Sequence, residues 1–365
     1  MNKISWAGDK DYQLITFSWE MIDVCQYKCS YCSAMNFNMS TFLEKKNLRD
    51  AWKPVIKLLS LKGIKLPFTV ELLGGEPSLH PDIVEIVDGL CAINNCVQIE
   101  FITNLAKPLK FYTQFNRPET DKVNFIASYH PEYYTEKFFN KVIELDKCEH
   151  IAIYPNINLP DDSEYWQSTA DLITRFEDAG VKISLNLLQS VDDGPEGKWE
   201  PNYTKDFWKF FAKWLERKPI NTSSEKIKSH HPEFTEKETM NYLKDEINSI
   251  TGEHKTQREE STYIKAPYTM VTRGVPYSIN NKIELLSEAD IVKDDLRRFK
   301  GWSCRPLMWA INMDGTLRNH CTDEPLPFYK INETNLTACV TCPLERCDCD
   351  TKYLYVKSRP DEEAS

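Results

Sequence analysis

The sequence predicts an α/β protein built on a parallel sheet. Between Gln13 and about Leu188 six apolar, strand-like runs alternate with helix-period patterns, and each step between parallel strands needs a crossover of the kind those helices supply. At 365 residues the chain has material for one large domain and a smaller one. Most of its twelve cysteines fall in two groups, at residues 25–32 and 304–349, which marks the two ends of the chain as different in kind. Periodicity leaves a doubly wound sheet and a partial barrel equally open.

Gln13 to Val24 reads as the first strand and runs into the first cysteine group. A helix should follow, with Thr41-Phe-Leu-Glu44 as a capping box and a kink or break at Pro54. Phe68 to Leu73 is the second strand. The next helix begins near Pro81 and places Ile83, Ile86, Val87, Leu90 and Cys91 on one face, Cys91 as a small buried hydrophobe. Val97 to Thr103, Val123 to Ser128, His150 to Asn158 and Val181 to Leu188 complete the strands. Helices over Thr135 to Leu145 and Asp162 to Ala179 lie between the later ones, with Gly180 as a stop signal. Tyr203 to Arg217 carries an aromatic helical stripe that reads as core. Residues 219–262 are polar and poor in apolar side chains, with one helix predicted over Glu236 to Ile247, and are expected to be mobile. Adjacent His230 and His231 lack acidic or thiol neighbours and read as exposed. Leu307 to Asn312 and Thr316 to His320 flank Asp314-Gly315 as a β-hairpin.

Forty-five basic against 55 acidic residues, a formal net charge of −10, argue against a nucleic-acid backbone as partner. No apolar run reads as a signal peptide or approaches the roughly 18 residues of a membrane span, so a soluble, cytoplasmic protein with no membrane partner is expected. In a reducing compartment clustered cysteines favour metal over disulfides.

Cys25-Gln-Tyr-Lys-Cys29-Ser-Tyr-Cys32 places three thiols on one loop, too few to close a tetrahedral zinc site but sufficient for a cubane cluster with one open iron. The spacing C-x3-C-x2-C, with aromatic Tyr31 before the third cysteine, resembles the cluster loop of the radical S-adenosylmethionine (SAM) enzymes. Gly74-Gly75-Glu76-Pro77, directly after the second strand, resembles the SAM motif of that family. The resemblance implies a partial (β/α)6 TIM-type barrel. It also implies a [4Fe–4S] cluster on Cys25, Cys29 and Cys32, and SAM bound at Gly74, Gly75, Glu76 and Pro77, with Tyr31, Asn104 and Ser128 as further cofactor contacts. His130 is a weaker candidate for a SAM contact, and alternation along the strands makes Asn156, Asn158, Asn186 and Gln189 candidates for the barrel mouth. The glycines are expected to let backbone approach the ligand, so a bulky residue at position 75 should weaken SAM binding and leave the iron in place. No residue stands out as a catalytic acid or base.

In the second group, Cys304 precedes the hairpin, Cys321 ends it, and Cys339-Val-Thr-Cys342 and Cys347-Asp-Cys349 follow. Spacing alone also suits a zinc ribbon. The order resembles the SPASM and twitch extensions of radical SAM enzymes, implying at least one auxiliary [4Fe–4S] cluster on Cys304, Cys321, Cys339 and Cys342. The final run, C-x2-C-x4-C-x-C with no later cysteine, departs from the SPASM pattern and leaves a second cluster on Cys347 and Cys349 open. The expected organisation is a radical SAM core over 1–218, a polar insertion over 219–300 and a SPASM/twitch-like unit over 301–365. By resemblance the chain is an oxidoreductase that cleaves SAM to a 5′-deoxyadenosyl radical, supplied with electrons by a flavodoxin or ferredoxin. Its first expected substrate is a peptide or protein, to be oxidised, cross-linked or epimerised. Only residues 1–12 precede the first strand, so a leader peptide would have to be held in the 190–300 segment. Dehydrogenation of a small sugar, aminocyclitol or cofactor precursor is the alternative. A non-catalytic zinc or iron–sulfur protein is the rival from another class.

Overall fold

The computed structural model describes residues 4–6, 15–32, 49–61, 64–187, 204, 206–207, 209–211, 275–279, 282–286, 299–319, 333–343 and 357–358. Its centre is an eight-stranded sheet. Strands β2 (Ile15–Ile22), β3 (Phe68–Gly74), β4 (Cys96–Thr103), β5 (Val123–Tyr129), β6 (Ala152–Leu159) and β7 (Ser184–Leu187) lie side by side in chain order, all parallel. A doubly wound sheet reverses its strand order at a switch point. This one never does, so the open choice resolves to the partial TIM-type barrel.

The parallel crossovers are α1 (Trp52–Leu61), α2 (Ile83–Cys91), α3 (Leu109–Thr113), α4 (Glu136–Asp146) and α5 (Trp166–Asp178). Pro54 does not interrupt α1: it sits in the first turn, where its missing N–H has no partner to lose. The Thr41–Glu44 capping box lies outside the described residues. Gly180 ends α5 with φ +70°, the left-handed conformation a helix stop needs. Phe207 and Phe211 are buried against Trp166 of α5, so this part of the aromatic stripe is core, as its spacing predicts.

Alternation along the strands sorts two faces. Phe17, Trp19, Phe68, Val70, Leu72, Phe101, Phe125 and Tyr129 join Ile86, Leu90, Val142 and Leu145 of the helices in one core. The opposite face is polar. Ser18, Glu71, Glu100 and Asn124 stand in register across four strands, with Thr16, Thr69 and Gln98 one layer below. The Ser18 hydroxyl donates to Glu71, Thr69 donates to Thr16 at 3.0 Å, and Gln98 donates to Glu100 at 2.9 Å. A parallel sheet covered on both faces usually reads as near-continuous apolar runs. The alternation here marks a hydrogen-bonding barrel interior.

The remaining described strands come from both ends. β1 (Ile4–Trp6) pairs with β8 (Val275–Ile279), which pairs with β9 (Lys282–Leu286), all antiparallel. This hairpin lies inside the stretch read as a polar insertion. β10 (Ser303–Cys304) pairs with β13 (Val340–Thr341) and β14 (Lys357–Ser358). The predicted Asp-Gly hairpin is present as β11 (Met308–Ile311) and β12 (Leu317–Asn319), with Gly315 at φ +81°. It is no satellite: β11 runs parallel to β2 in register Met308↔Thr16 to Ile311↔Trp19, and extends the central sheet. The short helix α6 (Glu333–Thr337) is tied to it by Trp309 Nε1 donating to the Leu336 carbonyl at 3.1 Å. Residues 219–262, with the predicted 236–247 helix, His230 and His231, lie outside the described residues. Among the described residues no helix is long and apolar enough to cross a membrane.

Candidate active site

The cysteine loop leaves the C-terminal end of β2, the rim where a parallel barrel collects its chemistry. There the Gly74-Gly75 turn continues the sheet ladder: Gly75 N donates to Ile22 O at 2.6 Å and Glu76 N to Val24 O at 2.8 Å. Gly74 has φ +125°, and a Cβ there would run into the Ile22 carbonyl. At Gly75 a Cβ would stand 2.5 Å from the Val24 carbonyl carbon and 2.8 Å from its nitrogen. In this structure the glycines admit the chain that enters the cysteine loop. Their absent side chains make room for protein backbone, so a bulky residue at 75 displaces the Cys25 loop itself, contrary to the expectation that only SAM binding would suffer.

Glu76 is 1% exposed and its carboxylate is turned into the protein. It accepts from Ser78 N at 3.1 Å, Thr103 Oγ1 at 2.7 Å and Asn104 N at 2.7 Å. Burial pushes its carboxyl pKa up, and these hydrogen bonds oppose the rise. Asn104 is thereby fixed beside the loop. Its Nδ2 points at Cys25 Sγ at 3.7 Å, and its Oδ1 accepts from Gln26 Nε2 at 2.9 Å and from Ala106 N at 3.0 Å. Leu105 follows in the left-handed region, φ +54°, a strained position for a leucine. Lys141 Nζ, reaching from α4, holds it by donating to the carbonyls of Leu105 and Lys107 at 2.5 and 2.6 Å.

The far half of the loop meets the turn after β5. Lys28 N donates to Tyr133 Oη at 2.8 Å, and the Tyr27 and Tyr133 rings stack at 4.3 Å. Ser30 donates through both N and Oγ to Glu132. His130 Nδ1 lies 2.9 Å from Tyr31 Oη and 3.3 Å from Cys29 Sγ. Burial lowers the His130 pKa to about 4, so the ring is neutral at pH 7. Ser128 is half-buried on β5, opposite Asn156 of β6, while Asn158 donates to the Tyr129 carbonyl at 2.8 Å. Tyr31, Asn104, Cys25 and Cys29 are thus drawn together. Among the described residues neither Ser128 nor Pro77 hydrogen-bonds to the loop, although Pro77, buried, opens the 3-10 turn behind it. Gln26, Glu132 and Tyr133 were missed at the sequence level, because nothing in an exposed Gln or a Pro-Glu-Tyr turn signals a contact a hundred residues away.

The donor set fits an iron–sulfur cluster. Burial raises the Cys25 thiol and pushes Cys29 up to about 12, with repulsion from the neighbouring cysteine thiolates adding to both. Against that, Tyr27 N donates to Cys25 Sγ at 3.3 Å and a Tyr31 hydrogen bond favours the Cys29 thiolate. Cys25 and Cys29 therefore need a positive partner to deprotonate, which cluster iron supplies. Among the described residues no three His, Cys, Asp or Glu side chains are disposed around a single metal ion. A cubane does not ask for that, since each thiolate binds a different iron.

At the other end, Cys304 pairs with Val340 across β10–β13, and Cys342 N donates to Trp302 O at 2.8 Å. Cys304 and Cys342 are buried and Cys339 is exposed. The ladder thus brings Cys304 beside the Cys339–Cys342 pair. Cys321, Cys347 and Cys349 lie outside the described residues. None of the described cysteines forms a disulfide.

No family model matches the chain. The chain is 32% identical over 141 residues to the GTP 3′,8-cyclase of Listeria welshimeri, covering 36% of this chain and 41% of that protein. It is 23% identical over 207 residues to the GTP 3′,8-cyclase of Mannheimia succiniciproducens, covering 56% and 53%. The chain therefore spans about half or less of the length of these curated relatives. The solved structure of native anSMEcpe with bound AdoMet and Cp18Cys peptide aligns over 89% of this chain and 78% of that one, at 12% identity. Its TM-score of 0.44 is too low to bear on the question. The cyclases are radical SAM enzymes, a superfamily that implies SAM and a [4Fe–4S] cluster. With a cysteine loop and a Gly-Gly turn meeting at the rim of an in-order parallel barrel, the chain is similar to the radical SAM enzymes.

Proposed function

We propose that the chain is a radical SAM oxidoreductase acting on a peptide or protein substrate. Cys25, Cys29 and Cys32 would hold the cluster, and the rim made by Gly74, Gly75, Glu76, Pro77, Tyr31, Asn104 and Ser128 would hold SAM. A reduced cluster held on Cys25, Cys29 and Cys32 would supply the electron for reductive cleavage of SAM, and with it the radical chemistry for hydrogen-atom abstraction from a substrate carbon. The observation that supports this most is the anchoring of the cysteine loop above the barrel interior, on the same rim as the Gly-Gly turn. Asn104 and Tyr27 N orient Cys25, Glu76 orients Asn104, and the polar inner face around Ser18, Glu71, Glu100 and Asn124 offers hydrogen bonds to whatever lies above it.

The peptide class rests on the C-terminal cysteines. Cys304, Cys339 and Cys342, with Cys321, would carry an auxiliary cluster of the SPASM/twitch kind, and Cys347 and Cys349 a second. A flavodoxin or ferredoxin would be the electron donor. The second reading, oxidation of a small molecule such as a sugar, aminocyclitol or cofactor precursor, gains support from the curated relatives, whose names specify a nucleotide substrate.

The test is a Cys25/Cys29/Cys32→Ala triple variant under anaerobic, reducing conditions. It should form no 5′-deoxyadenosine from SAM and lose about four irons relative to the parent. SAM cleavage at the parent's rate refutes the assignment. The iron the variant retains counts the auxiliary sites, about four for one cluster and about eight for two. Retention of zinc alone after anaerobic isolation refutes them.

A further inference from the structure

The geometry points to the turn after β5, residues 130–133, as a clasp for the cysteine loop, with Glu132, Tyr133 and His130 as positioning residues for the cluster. The inference rests on the reading that Cys25, Cys29 and Cys32 carry it.

Among its described residues the loop has little structure of its own. Cys32 N donates to Cys29 O at 3.1 Å and Tyr27 N to Cys25 Sγ at 3.3 Å. Its remaining anchors come from elsewhere in the chain, and they divide the loop in two. Asn104 and the Gly-Gly turn hold the end at Cys25, while the 130–133 turn holds the part around Cys29. The contacts bracket that cysteine. Lys28 N, just before it, donates to Tyr133, and Ser30 N, just after it, donates to Glu132 at 3.0 and 3.2 Å to its two oxygens. With the amides on either side of Cys29 committed, the backbone that presents its thiol is held in place.

A carboxylate beside a thiolate ligand is electrostatically unfavourable, so the charge of Glu132 does not account for its place. Its two acceptor oxygens do, because they take both the amide and the hydroxyl of Ser30. Tyr133 also acts twice: its ring stacks on Tyr27 with the planes 8° apart, and its hydroxyl accepts from Lys28. Pro131 gives the turn a fixed φ, and the 3-10 turn it opens sets Glu132 and Tyr133 side by side. β5 stands three strands from β2, so at about 4.8 Å per strand the clasp reaches roughly 14 Å along the rim, over the ends of β3 and β4.

The experiment uses the full chain, reconstituted anaerobically with iron and sulfide. Iron transfer to EDTA is followed by the visible absorption of the cluster, and the contribution of auxiliary iron is subtracted with the Cys25/Cys29/Cys32 triple variant. Glu132→Ala should release the three-cysteine iron about tenfold faster than the parent, and Tyr133→Phe, which keeps the stack and loses the acceptor, about threefold faster. Glu132→Gln keeps acceptor oxygen and should restore most of the parent's rate. Ser30→Ala should have little further effect in a Glu132→Ala background, because the two groups act as a pair. The electron paramagnetic resonance line of the reduced cluster should broaden in Glu132→Ala and recover in Glu132→Gln, a response a general loss of stability would not give. Release from Glu132→Ala at the parent's rate, with a parent that loads the three cysteines, overturns the clasp alone. A parent that loads no iron there overturns the clasp together with the reading beneath it.

Discussion

Replacing Gly75 by alanine adds one carbon atom, and the structure states where it goes. The new Cβ would lie 2.5 Å from the carbonyl carbon and 2.8 Å from the nitrogen of Val24, with the Val24 oxygen closer still. Every one of these is backbone, so no side chain can swing away. Either β3 or the exit from β2 must shift by about half an ångström or more, an overpacking cost of about 1–3 kcal/mol. The shift also strains two rim hydrogen bonds, Gly75 N to Ile22 O and Glu76 N to Val24 O, each contributing about 1 kcal/mol. The expected loss is therefore about 2–4 kcal/mol, measured by urea unfolding of the metal-free, reduced protein with tryptophan fluorescence and circular dichroism in parallel. Because Val24 precedes Cys25, the iron bound by the three-cysteine loop should fall as well. Gly89→Ala is the control. Its Cβ would meet side-chain atoms of Ile56, at 3.0 Å, rather than backbone, and alanine is the better helix former by about 1 kcal/mol. A Gly75→Ala protein with the parent's stability and iron content, failing only to bind SAM, would refute the steric reasoning and restore a ligand-facing role for the glycine.

His80 gives a test by pH. Burial lowers its pKa to about 4 from the ordinary 6.5, and its Nδ1 accepts from Asp82 N at 3.1 Å. The unfolded chain binds the proton first as pH falls, so this contribution is intact above pH 6.5 and is lost down to about pH 4. His80→Asn keeps an acceptor and removes the titration. Its unfolding free energy should fall less than the parent's between pH 7.5 and 5, by about 2 kcal/mol, and equal falls would contradict the assignment. Lys141→Met leaves the carbonyls of Leu105 and Lys107 without their donor and should cost about 1–2 kcal/mol, partly restored in Lys141→Arg. Unfolding unchanged in Lys141→Met would show that the Leu105 turn holds itself.

What could be read from the sequence was whatever is local. Strand positions followed from apolar runs, the Asp314-Gly315 hairpin from its turn residues, and the stop at Gly180 from the left-handed φ that glycine supplies. Strand order was not readable, because six βα units fit either winding and only pairing in space decides between them. Pro54 misled for a related reason: proline breaks a helix or begins one according to where the first turn falls. At the site, the cysteines and the Gly-Gly turn carried spacing signals. Glu132 and Tyr133 carried none, since their contacts with Ser30 and Lys28 join distant rim loops. The glycines were legible as glycines but not in their reason, which lies in the carbonyls of Ile22 and Val24.

The place of β11 in the sheet bears on how the protein is born. β2, which carries the cysteine loop, has β3 on one side and residues 308–311 on the other. At roughly 5–20 residues per second on the ribosome, about 15–60 s separate the emergence of Ile22 from that of Ile311. Throughout that interval β2 is an edge, with a bare row of amides and carbonyls of the kind that recruits foreign strands. A nascent chain halted before residue 308 keeps that edge, so truncation after the sixth parallel strand yields an aggregation-prone product rather than a smaller enzyme. The strand from which the cysteines hang is sealed on that side only by residues made nearly three hundred positions later.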